Sequence, residues 1–431
     1  MTDLDFADIL PMLSDPAELH DPGLSRRRFL QGLLAAGVVT TAVPSWMAGK
    51  AHAAVNPLGA GEGVLVVAIL GGGNDGLNTH APISGPTRGR YEKLRGSLAI
   101  PSASLLPTAD DHGLHPNLPL LHKRFAKGQV ALVRGAGFPV TPLSHGEAMA
   151  GMMAGSSDGS ASTGWLGRYL DGVSDSRGGL RGLAVSPSVP LYLRGTDARI
   201  TTVTPGPNPE PGDVESVAIR KVLRGYSAQP TGLGPLGDEI AATARESLDH
   251  NRMLQPIYNG TLPAGGVGRD LALAARLVNM NLGARVIGVT LDGFDTHLGQ
   301  ASTQVALFSA LDAAIEGFFA TLAPAFRSRT ALLAVSEFGR RAGKNSSGGT
   351  DHGAANLMLL AGDNVRGGLH AAEPSLDQLD ARLNLKPTVD TRSVYASVLH
   401  RWLGADPKHV LGKAYPELDL FAAAPGIART G

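Results

Sequence analysis

Runs of consecutive apolar residues punctuate this chain and set its architecture. Val64–Leu70 (VLVVAIL) has no polar interruption and ends at Gly71-Gly72-Gly73, the pattern of a strand buried on both faces. Shorter runs of the same kind predict strands over 130–134, 183–186, 285–291, 330–335 and 357–360. Between them apolar residues recur at helical spacing, which predicts helices over 117–127, 145–153, 270–280, 303–322 and 391–403. Strands alternating with helices predict an α/β fold: a mostly parallel sheet with helices on both faces. The stretch from about 197 to 268 differs, with the proline-rich loop TPGPNPEPG at 204–212 and helical patterns at 214–224 and 238–253. It reads as a helical insertion within a single α/β domain spanning 54–431.

The N-terminal segment follows another rule. Ser25-Arg26-Arg27-Arg28-Phe29-Leu30-Gln31 precedes a mildly apolar run from Leu33 to Val43, and Ala51-His52-Ala53 follows. Basic region, apolar region and small-residue cleavage site stand in the order of an export signal, with the paired arginines of the twin-arginine route. The apolar run is shorter than the ~20 residues that span a bilayer. The sequence thus predicts a signal peptide over 1–53, cleaved near Ala53, handled by the twin-arginine machinery of a bacterium. The mature chain is expected in the periplasm or otherwise outside the cytoplasm. A chance basic stretch beside a buried helix, or a retained anchor, is the alternative reading.

Composition narrows the chemistry. The chain has no cysteine, which excludes disulfides, zinc-thiolate sites and thiol nucleophiles. Any transition metal must be held by histidine and carboxylate. Lys plus Arg (38) balances Asp plus Glu (38), so the dense basic face that displaces counterions from nucleic acid is not expected.

Polar residues cluster where the strands stop. Asn74-Asp75-Gly76-Leu77-Asn78 follows the first strand, and Asp292-Gly293-Phe294-Asp295-Thr296-His297 follows the strand 285–291. Ser336-Glu337-Phe338-Gly339-Arg340 follows 330–335, and Gly348-Gly349-Thr350-Asp351-His352-Gly353 comes soon after. In a parallel sheet these loops share one carboxyl edge, where ligands bind. Such a set of Asp, Glu and His suits one or two divalent metals, which would lower a nucleophile's pKa and neutralise charge on a transferring phosphoryl or sulfuryl group. Each residue also has an ordinary reading. Asp75 suits a turn, Glu337 suits an ion pair with Arg340 or Arg341, and Arg340 suits either a salt bridge or a substrate anion. Ser144 and Glu147 fit a capping box. His145 is either packed or in contact with an anionic substrate, and His112 and His115 are read as structural. Gly71 to Gly76 matches G-x-G-x-x-G, yet Asp75 would face the pyrophosphate, and no acidic residue ends a second strand about 20 positions on.

These blocks, with Leu114-His115-Pro116, Ser144-His145 and Gly164-Trp165-Leu166, resemble domain-of-unknown-function family 1501 over roughly residues 60–405. The resemblance implies the fold of the alkaline phosphatase and sulfatase superfamily and an exported bacterial protein. It implies that Asp75 is a metal ligand ending the first strand, and that Ser144 is a nucleophile at a helix N-terminus. Asp295 (or Asp292) with His297 would hold one metal, Glu337 would replace the Asp of an Asp-His pair, and His352 would be the last metal-binding histidine. Phe338 stands in place of the paired histidine. That departure implies one divalent metal rather than two, or a harder oxygen-ligated ion such as calcium, magnesium or manganese near Asp75 and Glu337. The implied function is metal-dependent hydrolysis of a small anionic phosphate or sulfate ester, with Arg340 and His145 at the substrate. The alternative is a catalytically degenerate member serving as an extracytoplasmic binding or surface-assembly protein.

Overall fold

In the computed structural model, nine strands of the described residues form the central sheet. They are β1 (Val64–Leu70), β2 (Val130–Gly137), β3 (Gly182–Val185), β4 (Ile200–Val203), β5 (Val286–Leu291), β6 (Thr330–Val335), β7 (Asn356–Ala361), β8 (Gly368–His370) and β9 (Val389–Asp390). The residues described are 57–139, 143–156, 162–173, 180–204, 224–225, 228 and 235–427. The segment read as an export signal, 1–53, and most of 205–234 lie outside them.

The strand order is β8-β2-β7-β6-β1-β5-β3-β4, with β9 paired to the end of β2. β1 is central, and both its neighbours run parallel to it, Val67 lying opposite Gly288 of β5 and Leu333 of β6. All of β1 is buried, as its uninterrupted apolar run requires. β7 runs antiparallel to both β2 and β6, so the sheet is mixed but mostly parallel. β4, rich in β-branched residues, is one of the two edge strands, and it falls in the first residues of the stretch 197–268.

Eight helices matter here: α1 (Gly85–Arg95), α2 (Pro119–Ala126), α3 (His145–Ala154), α4 (Trp165–Asp171), α5 (Pro235–Leu254), α6 (Gly266–Asn279), α7 (Gln300–Thr321) and α8 (Thr391–Arg401). Alternation along β1 feeds two cores. Val64, Val66 and Ala68 pack with Leu121 of α2, Leu271 of α6 and Phe308 and Phe318 of α7. Leu65, Val67 and Ile69 share the opposite core with Met152 of α3, Trp165 of α4 and Tyr395 of α8. Helices therefore cover both faces. Trp165 and Tyr395 stack at 4.2 Å, locking α4 to α8 on the face that carries α3. Among the described residues, no helix is long and apolar enough to cross a membrane.

The connection after β1 contains elements too short to be read from periodicity. His80–Pro82, Leu106–Pro107 and His112–Leu114 form a small antiparallel sheet, and α1 starts with Pro86 in its first turn. α1 buries only Tyr91 and Arg95, and Arg95 proves decisive for one of the predicted ligands.

Candidate metal centre

Because β5, β1 and β6 are parallel neighbours, the loops that leave them meet. Glycine makes the meeting possible. Gly72 has φ +113 and a Cβ there would collide with the backbone nitrogen of Asp295, while one on Gly73 (φ +87) would enter the Phe338 ring. Gly72→Ala is expected to lower the urea midpoint by at least the roughly 1–3 kcal/mol that a forced backbone conformation costs. It should also displace Asp295, measurable as weaker metal uptake.

Asp295 stands at the centre of the cluster. Its Oδ1 lies 3.1 Å from His297 Nε2 and 3.2 Å from His352 Nε2, and its Oδ2 lies 3.4 Å from His145 Nε2. The Nε2 atoms of His297 and His352 are 2.8 Å apart. The other nitrogen of each ring points to an oxygen. His352 Nδ1 meets the Leu143 carbonyl at 2.7 Å, His145 Nδ1 meets Glu337 Oε1 at 2.9 Å, and His297 Nδ1 is 3.4 Å from Asp351 Oδ1.

Those carbonyl and carboxylate oxygens only accept, so each Nδ1 is placed to donate and each Nε2 is the ring atom turned toward Asp295. Three ring nitrogens and a carboxylate thus converge on one small volume. Such a convergence suits a cation, and oxygen partners on the far nitrogens are the usual surroundings of metal-bound histidine. His145, Asp295 and His352 each offer a ligand atom within 4.8 Å of the others. The residues present fit a metal.

Burial by itself would raise the Asp295 carboxyl, but contacts with Arg340 and the neighbouring imidazoles outweigh it and hold it down at about 2. Asp295 is therefore an ionised carboxylate at neutral pH. A hydrogen bond from Asn345, aided by Arg341 and His297, likewise lowers Asp351 against the opposing effect of burial. The side chains of Asp295, His145 and His297 are 45%, 40% and 39% exposed, so the cluster opens to solvent and a ligand can reach it.

Glu337 lies behind it with a fully buried side chain. Its Oε1 also accepts the Gly72 N–H at 2.9 Å, and its Oε2 has no hydrogen-bond partner. A buried side-chain oxygen left in that state is uncommon. Phe338 packs under the rings, 4.3 Å from His352 and 5.0 Å from His145 between centroids. Phe338 is thus an apolar floor.

The structure therefore brings together Asp295, His297, His352, Glu337 and His145. Two expectations need correcting. Asp75 is scaffold, not a ligand: its Oδ1 accepts from Arg95 at 2.6 Å and from the Asn78 N–H at 3.2 Å, and its Oδ2 from Gln300 at 2.6 Å. Both members of the Asp75–Arg95 pair have fully buried side chains, so Asp75 is committed to protein partners. Arg340 cannot meet substrate. It is buried, donating to the carbonyls of Gly73 (2.8 Å), Thr350 (2.8 Å), Phe294 (3.0 Å) and Gly72 and to Asp295 Oδ1 (2.6 Å). His145 belongs to the ring cluster itself. Asp295, not Asp292, faces the rings.

Ser144 is the N-cap residue of α3, and its carbonyl accepts the Ala148 N–H at 2.9 Å, but its hydroxyl makes no cap hydrogen bond. The capping box is not formed, and the exposed hydroxyl is not spent on the helix. Its chain neighbours Leu143 and His145 both touch the cluster, which holds Ser144 at its edge.

Sequence reasoning misses Arg95 and Gln300, whose roles depend on partners far along the chain. For His145, adjacency to Ser144 is the signal that points to the site.

The profile of a family described as "Protein of unknown function (DUF1501)" matches residues 137–414. No curated protein matches the chain in sequence. Among solved structures, the chain is similar to a protein in the alkaline phosphatase superfamily from Vibrio parahaemolyticus, at 10% identity and TM-score 0.38 over 91% of this chain and 78% of that one. It is also similar to the phosphonate monoester hydrolase of Silicibacter pomeroyi, at 10% identity and TM-score 0.36 over 83% and 78%. A 2-O GAG sulfatase matches at 12% identity and TM-score 0.33 over 82% and 72%.

Proposed function

This chain belongs to the DUF1501 family, and we propose that it acts outside the cytoplasm as a metal-dependent hydrolase of a phosphate or sulfate ester. The convergence of three Nε2 atoms on the Asp295 carboxylate carries the reading. Asp295, His297 and His352 would hold one divalent ion, with His145 beside them. A donor set of imidazole and carboxylate suits zinc or a similar first-row metal better than calcium or magnesium, which prefer all-oxygen shells. When bound, the ion supplies charge neutralisation at the transferring group and a lowered nucleophile pKa.

The rest falls to the chain. Leu143, Glu337 and Asp351 fix the ring tautomers. Arg340 holds Asp295 in place, and Phe338 keeps water from beneath the rings. Ser144 is the nucleophile in this reading, its developing anion favoured by the positive end of α3. With Arg340 committed to backbone carbonyls, the first amides of α3 are the donors left for an anionic substrate. The basic, apolar and cleavage-site order of 1–53 supports export, and a chain without cysteine folds equally well before leaving the cytoplasm.

A second reading is a binding or surface-assembly protein that keeps the ion for structure. Phe338 in a ligand's place and the full engagement of Arg340 favour it. Metal analysis of the purified protein, with turnover assays on aryl phosphates and aryl sulfates, separates the two. The hydrolase reading expects bound metal, turnover on one ester class, and a Ser144→Ala loss on the order of 10³-fold or more with metal retained. A folded, metal-loaded protein inert on both classes establishes the second reading.

A further inference from the structure

One side chain joins the two loops that carry the cluster. Gln300 opens α7 and is fully buried, and its side chain bonds to Thr296, Thr350 and Asp75 rather than to the rings. Its Oε1 accepts the Thr350 hydroxyl at 2.6 Å and the Thr296 hydroxyl at 3.2 Å, and its Nε2 donates to Asp75 Oδ2 at 2.6 Å. Because a carboxylate only accepts, the amide has one orientation compatible with these partners. Thr296 stands between Asp295 and His297, and Thr350 lies two residues before His352.

The two loops are also tied directly. The Thr350 N–H donates to the Thr296 carbonyl at 3.2 Å, and the Gln300 N–H donates to Gly348 at 3.1 Å. A Cβ on Gly349 would collide with Thr296 and His297, so the loops pack without slack. On its other side Gln300 is anchored to the Asp75–Arg95 pair, whose side chains are both fully buried. The path runs from α1, through that ion pair and one amide, to both sides of the cluster.

We propose that Gln300 is a positioning residue for the metal centre, setting the separation of His297 and His352 through one oxygen shared by Thr296 and Thr350. This rests on the metal-centre reading above. Metal–ligand bonds tolerate only about 0.2 Å of error, so a small slip of one loop against the other weakens binding even when every ligand is present.

The test uses the full chain stripped of metal, titrated with zinc against a chromophoric chelator, with the visible spectrum of the cobalt(II) form as a readout of ligand geometry. Gln300→Met and Thr350→Val are expected to weaken zinc binding about tenfold or more, in the range of outer-shell changes, and to alter the cobalt spectrum. Thr350→Ser, which keeps the hydroxyl, should bind like the unaltered protein. Zinc affinity and cobalt spectrum unchanged in Gln300→Met and Thr350→Val, with only a lower urea midpoint, would overturn the proposal. Should Gln300→Met not fold, the Val and Ser variants at position 350 decide it between them. An unaltered protein that takes up neither zinc nor cobalt sinks the metal centre itself and this inference with it, a result read before any variant is made.

Discussion

His352→Ala is expected to abolish tight metal binding and any ester turnover while leaving the fold in place. Its Nε2 lies 2.8 Å from His297 Nε2 and 3.2 Å from Asp295 Oδ1, so its loss opens the cluster on the side that both loops share. Changes in outer-shell partners alone cost metal sites about 10–100-fold in affinity, and removing a ligand should exceed that. The fold cost is small by comparison. The backbone of residue 352 keeps its pairing with Arg340, and the main side-chain bond lost is the one to the Leu143 carbonyl. Chelator competition with zinc and far-UV circular dichroism measure the two effects separately. Unchanged zinc affinity would mean the ring is a packing element.

Arg340→Leu should give the largest loss of stability of any single change near the site. The guanidinium is buried, and its removal strands carbonyls of Gly72, Gly73, Phe294 and Thr350 together with one oxygen of Asp295. Removing one partner of such a buried network costs about 3–5 kcal/mol, because desolvated acceptors are left unpaired. Arg340→Lys should not rescue it, since one ammonium with three donors cannot span acceptors laid out for a planar fork. Urea denaturation in the presence of a chelator isolates this effect from metal loss. A cost below about 1 kcal/mol, within the range of an ordinary hydrogen bond, would show that solvent replaces the clamp.

Both expectations depend on features that differ in how far the sequence reveals them. Uninterrupted apolar runs are legible, and β1 and β6 coincide with the predicted strands to the residue. Burial on both faces leaves a signature in residue type alone. Direction leaves none: β7 has the same apolar character as its neighbours but runs antiparallel to them. The strands of two and three residues after β1 are shorter than any period that could announce them.

The candidate site divides the same way. By itself the sequence determines which donors exist and which strand ends deliver them, and so Asp295, His297, Glu337 and His352 can be named from it. What each lone pair faces is decided only in three dimensions. Asp75 follows a strand just as Asp295 follows one, yet Arg95, 20 positions on, and Gln300, 225 positions on, take up its oxygens. Arg340 looks like an anion ligand until four carbonyls from three loops close around it. A carboxylate or guanidinium is satisfied by whichever opposite group lies nearest after folding, and that distance is a property of the sheet order and not of local spacing.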